Sequence, residues 1–515
     1  MVQPSADREP GIGRGQSPGK GMSMLPSEIA ILNRSREGGM PLSAAERALA
    51  LNAQAATSPL YANNQQALPP GRHTAWRISP EPHVISAARA AELQALGNHL
   101  LGFVQALNKL YVESVKGRQP AWVFQLLDQG KPEALVEYQR MNRFKGLIPR
   151  VIRPDLIVDE SGALSACELD SIPGGIGLTA AMSADYAALG FELLGGADGL
   201  VQGYAAMIRD VAGAEDPWLA IVVSDESNDY WLEQQWLGSR LNEANLNTAV
   251  VRPSDLRYDG DAILAEFPGR GLQRVDVIYR FFELFDLKNI PRAELVQYAN
   301  KKAQVVVTPP YKAYLEEKLS FALYHHPALR AFWRAEMSPA SLQILDHLLP
   351  KTWVLDPTPL PPQAVIPGLA VDGTPVQDWL SLSAASKRDR SFVVKPSGFS
   401  SLAWGSHGVA FGHDLSTGDW ELALRNALTA FPRNPYILQQ YRKPERTSVS
   451  YFDFITQQLV SIEGRVRLCP YYFVVGGEAR LGGVLSTICP LDKLAIHGMT
   501  DAVMVPTKVK DLGVS

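Results

Sequence analysis

The chain has 515 residues, 46% of them hydrophobic, and a formal net charge of −4. That length exceeds what one core usually supports, so two or three packed units are expected. The mild acidity excludes the basic stripe that binding along a nucleic acid requires, and three cysteines without a paired spacing exclude a disulfide-stapled framework.

The opening residues, MVQPSADREPGIGRGQSPGK, hold no apolar signal-peptide core, and no later run reaches the roughly 18 apolar residues of a membrane span. A cytoplasmic protein without membrane or nucleic-acid partners is expected. Residues 1–75 are rich in Gly, Pro, Ser, Gln and Asn apart from the helical patch LSAAERALALNAQAA, so they read as a poorly ordered leader. Residues 76–145 form a helical region, because apolar positions in AARAAELQALGNHLLGFVQALNKLYVESV recur at three and four.

From Leu147 the pattern changes. LIPRVIRPDLIVDESGALSACELDSIPGG predicts two strands around the turn Asp159 to Gly162, a hairpin opening a unit over 146–215. Residues 216–300 alternate strand and helix in LAIVVS, the segment Trp231 to Ala244, NTAVVRPSDL and VDVIYRFFELF, which predicts a Rossmann-like α/β layer. Within 301–515 a strand AQVVVTPP precedes a predicted helix KAYLEEKLSFALYHH. A Pro-rich connection over 356–373 follows, and then short strands such as SFVVKP, YILQQY and RVRLCPYYFVV.

Residues two apart on one face of the hairpin bring Arg153 and Asp155 beside Glu168 and Asp170. Clustered carboxylates suit a hard divalent cation such as Mg²⁺, and an arginine beside them suits a developing anion. The same spacing is also what ordinary solvated strand and turn charges give. Cys167 alternates to the opposite face and reads as a small core residue. Lys395 ends the strand FVVKP and runs into SGFSSLAWGSHGV, where Gly398, Gly405 and Gly408 allow close backbone approach and Ser406 adds a donor, a workable phosphate cradle. A surface hairpin turn has the same composition, and the run does not fit the Walker A spacing. Gln439 and Gln440 end a strand that offers hydrogen bonds to a purine edge, or are simply edge residues.

Taken in order, these segments resemble the synthetase module of glutathionylspermidine synthase and related circularly permuted ATP-grasp proteins. The family pattern R-x-D, turn, E-x-N and proline is met by Arg153, Asp155, Glu168, Asp170 and Pro173, with Asp170 in place of the asparagine. VIYR ending at Arg280 resembles the strand before the ATP-grasp half. PPYKAYLEEKLSFALYHHPALRAFW places Lys312, and FVVKPSGFSSLAWGSHGV places Lys395, on the two nucleotide-binding lysines; YILQQYRKP matches the hinge strand. In PYYFVVGGEARLGGVLSTI the resemblance gives Arg480 a substrate- or phosphate-facing role.

The resemblance implies an α/β (α+β) fold in which the hairpin and the last third of the chain share one ATP site. It implies an ATP- and Mg²⁺-dependent carbon–nitrogen ligase that joins a small-molecule or peptide carboxylate to an amine through an acyl phosphate. Asp155, Glu168 and Asp170 are its expected metal ligands and Arg153 its catalytic arginine. A nucleotide-binding or scaffold protein that keeps the fold without turnover is the alternative. Neither substrate is specified by these motifs.

Overall fold

The computed structural model describes residues 42–61, 68–403 and 408–511. Its largest sheet follows from strands buried on both faces. In Gln458–Val475, Leu468, Tyr472 and Val474 face one core while Cys469, Tyr471 and Phe473 face another, the period of two that a pleated strand imposes. Its neighbour Val151–Val158 divides likewise, with Ile152 and Leu156 in the first core and Val151 in the second.

The seven-stranded sheet runs in the order His83–Ile85, Val503–Val509, Glu478–Pro490, Gln458–Val475, Val151–Val158, Leu164–Asp170, and Thr447–Asp453 also pairs with Gln458–Val475. The predicted hairpin is therefore part of a sheet completed by the last strands of the chain. Helix Ala87–Val115 covers one face, so close at Gly97 that a Cβ there would lie 2.5 Å from the Tyr472 ring. Helices Ile176–Ala188 and Gly199–Ala212 cover the other face.

A second, fully parallel sheet has the order Val306–Thr308, Val277–Phe281, Leu219–Val223, Thr248–Val251, with helix Trp231–Glu243 crossing between the last two. The outermost strand, Val306–Thr308, comes from beyond residue 300, so the layer extends past the boundary expected from sequence. A third sheet, Thr352–Val354, Tyr436–Gln440, Phe392–Pro396 and Ala410–Phe411, is antiparallel and packs under helix Thr417–Ala430 on its own core of Leu355, Val394, Trp420, Leu424 and Leu438. The molecule is thus a mixed α/β protein of several sheets.

Two expectations are corrected. Ala44–Ala56 of the leader is a packed helix with a Ser43/Glu46 capping box and buried Ala48, Leu51 and Ala53, and Tyr61 donates to Asp185 at 2.5 Å; residues 1–41 and 62–67 lie outside the described residues. Small alanines let this segment pack closely beside Leu51. The helix predicted over KAYLEEKLSFALYHH is broken into a short turn Ala313–Leu315 and a helix Ser320–His325, because Glu316, Glu317 and Lys318 each leave the helical path for a separate partner.

Candidate functional site

A cleft of about 570 Å³ opens where the three sheets meet. The hairpin contributes Arg153, Asp155, Cys167, Glu168 and Asp170, the antiparallel lobe Val393, Lys395, Gln440 and Tyr441. From the parallel sheet come Glu226 and the run Phe281 to Glu283, which follow the C-terminal ends of Leu219–Val223 and Val277–Phe281. The carboxyl ends of parallel strands are where ligands bind open α/β sheets.

Register brings the hairpin charges together. Arg153 lies directly opposite Asp170, and Asp155 opposite Glu168. A bulge follows, since Leu156 pairs with Ala166 and leaves Cys167 unpaired. That extra residue breaks the alternation from which Cys167 was expected on the core face, and Cys167 borders the cleft. Arg153 holds Asp155 and Asp170, both at 3.0 Å, while Arg467 on the adjoining long strand binds Asp155 at 2.8 Å and the Cys469 thiol donates to the same carboxylate at 3.4 Å. Burial would raise the Asp155 carboxyl, yet Arg153 and Arg467 leave it below its ordinary value. Glu168 is lowered as well: burial raises it, but the Lys318 ammonium at 3.2 Å together with Lys395 and Arg153 brings it below its ordinary value. Asp170 is raised, because burial exceeds the effect of Arg153.

Lys395 reaches the hairpin across the cleft and donates to the Cys167 carbonyl at 3.1 Å. Lys312, expected beside it, does not line the cleft: its ammonium is buried against Asn108 Oδ1 at 2.7 Å, the Lys145 carbonyl at 3.1 Å and the Leu147 carbonyl at 2.6 Å, and burial pushes its pKa down to about 7. The break in the predicted helix gives the cleft Lys318 instead, bonded to Glu168 and to the Ala403 carbonyl. Gly398 lines the cleft, but a Cβ there would meet the Glu317 carboxyl at 2.8 Å, so its smallness serves packing; Gly408 packs against Pro396 in the same way. Gly405 and Ser406 lie outside the described residues. Gln439 is buried, its side chain directed toward Thr352 and its backbone paired on both sides, and it borders the cleft together with Gln440 and Tyr441. Arg480 is 63% exposed, pairs with Glu478 at 3.4 Å and is absent from the cleft lining. Arg467, beside Asp155, is an arginine of the same sheet that does line the cleft.

The expected metal centre is not preformed. Among the described residues no group of three or more His, Cys, Asp or Glu side chains is placed to hold a metal ion. Asp155, Glu168 and Asp170 each face arginine or lysine, so a Mg²⁺ ion does not fit the donor set as arranged. The cations at these carboxylates and facing them across the cleft are Arg153, Arg467, Lys318 and Lys395.

Several cleft residues escaped the sequence reading. Glu283 follows the strand VIYRF, and its carboxyl is pushed up to about 8 by burial and then by Glu316 and Asp170. Its position at the end of a predicted parallel strand was the available signal. Glu233, pushed up to about 7 by burial, accepts from the Gly175 amide at 2.8 Å and the Gly177 amide at 3.2 Å, fastening the start of helix Ile176–Ala188 to the parallel layer. Nothing local marks that long-range contact.

No profile of a known protein family matches the chain, and none of the curated proteins matches it in sequence. Among solved structures, a glutathione synthetase like-effector from Globodera pallida superposes over 90% of this chain and 97% of its own at 11% identity, with a TM-score of 0.53. A protein from Methylobacillus flagellatus KT, described provisionally as a gamma-glutamylcysteine synthetase, matches 81% of this chain and 87% of its own at 12% identity, but its TM-score of 0.39 is too low to bear on the fold. The first likeness is one of fold. Among the described residues no helix is long and apolar enough to cross a membrane.

Proposed function

We propose that the chain is an ATP-dependent carboxylate–amine ligase with the connectivity of a circularly permuted ATP-grasp protein. The observation that carries this reading is the meeting of Arg153, Glu168 and Asp170 with Lys395 and Lys318 in one cleft, although Cys167 and Lys395 stand 228 positions apart. The fold shared with the glutathione synthetase like-effector supports it. A volume of about 570 Å³ suits a small-molecule site, where about 300–1,000 Å³ is usual.

In this reading the triphosphate lies against Lys395 and Lys318, and the purine beside Val393, Gln440 and Tyr441. A carboxylate oxygen of the acid substrate attacks the terminal phosphorus, the bond to the bridging oxygen breaks, and ADP leaves. Arg153 and Arg467 balance charge on the transferred group; positioning and neutralisation supply most of the catalysis in such transfers. The amine nitrogen then attacks the acyl carbon and inorganic phosphate departs. Glu283, its carboxyl pushed up to about 8, is a cleft group that can take the amine proton once it is itself deprotonated, toward the alkaline side of neutrality.

Trapping with hydroxylamine tests this. A panel of small and peptide acids, incubated with ATP and hydroxylamine, yields an ATP-dependent hydroxamate if an acyl phosphate forms. ATP binding without any hydroxamate favours the second reading, a nucleotide-binding protein without turnover, which the engagement of Asp155 by two arginines and a thiol also supports.

A further inference from the structure

Lys131 lies in the turn between helices Ala121–Asp128 and Glu133–Gln139. Its ammonium is bound to Glu317, and the two side chains are 1% and 2% exposed. Neither residue lines the cleft. A buried ion pair of this kind contributes little net stability, because desolvation offsets most of the Coulombic attraction, and one of its best-attested uses is to specify a geometry.

The geometry here concerns the two cleft lysines. The second carboxylate oxygen of Glu317 accepts from the Ser397 hydroxyl, which in turn accepts from the Leu319 amide at 2.9 Å; the Lys318 amide donates to the Ser397 carbonyl, also at 2.9 Å. Ser397 is fully buried and lies two residues after Lys395 on the way out of its strand, while Lys318 follows Glu317 directly. Both oxygens of Glu317 are thus satisfied, one by the helical region and one by the lobe, a fully connected network. The neighbouring backbone leaves no slack: a Cβ on Gly398 would lie 2.8 Å from the Glu317 carboxyl, and one on Gly130 would lie 1.8 Å from the Arg433 carbonyl oxygen. Lys131 also sits 5.5 Å from the centroid of the cleft-lining Phe399 ring.

We propose that Lys131 and Glu317 are positioning residues, whose buried pair, acting through the Ser397 hydroxyl, sets the separation of Lys318 and Lys395 across the cleft. The consequence for ATP rests on the ligase reading; the placement of the lysines does not. The helical region between 76 and 145 is in this way a working part of the cleft.

The test uses the full chain with lysines labelled by reductive ¹³C-methylation, the Lys318 and Lys395 signals being assigned with Lys318→Arg and Lys395→Arg. The charge-neutral double variant Lys131→Met/Glu317→Gln avoids leaving one buried charge alone, and Ser397→Ala removes the bridge without touching the pair. Both lysine signals are expected to move in each variant, with ATP affinity weakened about tenfold in the double variant, an amount equal to about 1.4 kcal/mol. Unmoved lysine signals in a folded double variant overturn the proposal, and if that variant does not fold, unmoved signals in Ser397→Ala do so. Signals that move in a protein whose wild type binds no ATP sustain the positioning role and defeat the ligase reading.

Discussion

A buried lysine that neutralises no acid must be held by neutral acceptors, and Lys312 is held by one amide oxygen and two carbonyls. Because its native pKa is lowered to about 7, the unfolded chain binds more protons between pH 7 and the ordinary lysine value of about 10.4, and stability rises with pH across that window. Lys312→Met should flatten this rise in pH-dependent urea titrations and leave ATP affinity unchanged. Lys318→Met and Lys395→Met should each weaken ATP binding by about 10- to 100-fold in calorimetric titrations, the range for losing one hydrogen bond to a charged group. Unchanged affinity in both would remove the phosphate from this end of the cleft.

Strands and helices at the cleft are tied together by charges and close approaches. Asp155, 3% exposed, joins Val151–Val158 to Gln458–Val475 through Arg467 and is paired within its own strand with Arg153. Asp155→Asn leaves both guanidinium groups short of their counter-charge and should cost about 3–5 kcal/mol in urea unfolding, the range for breaking a buried pair. Gly175, at the start of helix Ile176–Ala188, has φ of +89° and lies where a Cβ would sit 2.6 Å from the Tyr471 hydroxyl. Gly175→Ala should therefore cost about 1–3 kcal/mol of backbone strain, seen as a lower melting temperature. It should also loosen the Arg153 bond to the Gly174 carbonyl, now 3.1 Å.

For the whole molecule, a ligand held between the sheets stabilises all of them by mass action. ATP should raise the melting temperature in proportion to the logarithm of its concentration. Mg²⁺ alone, at millimolar concentration, should leave it unchanged, because the carboxylates expected to bind it are engaged by arginines and a lysine. A shift with the metal alone would show that Glu168 and Asp170 can leave Lys318 and Arg153 to form a centre.

What the sequence by itself determined is what depends on neighbouring residues: the period-two strands of the hairpin, the long amphipathic helix over Ala87–Val115, and the strand–helix alternation of the parallel layer. The convergence of Arg153, Asp155, Glu168 and Asp170 was expected from residues two apart, but their pairing was not legible. The turn register, with Val158 opposite Leu164 and Leu156 opposite Ala166, would set Asp155 against Cys167, and only the bulge moves Asp155 to Glu168 and Arg153 to Asp170. Only tertiary structure decided which cations meet those acids. Arg467 comes from a strand joined after hundreds of intervening residues, and Lys318 enters the cleft because three adjacent charged residues found partners in three different parts of the fold. Lys312 and Arg480 have the right chemistry in the right order, but a side chain's direction is set by what packs around it. Asn108 and two carbonyls draw the first away from the cleft, and the outer end of a sheet leaves the second in water.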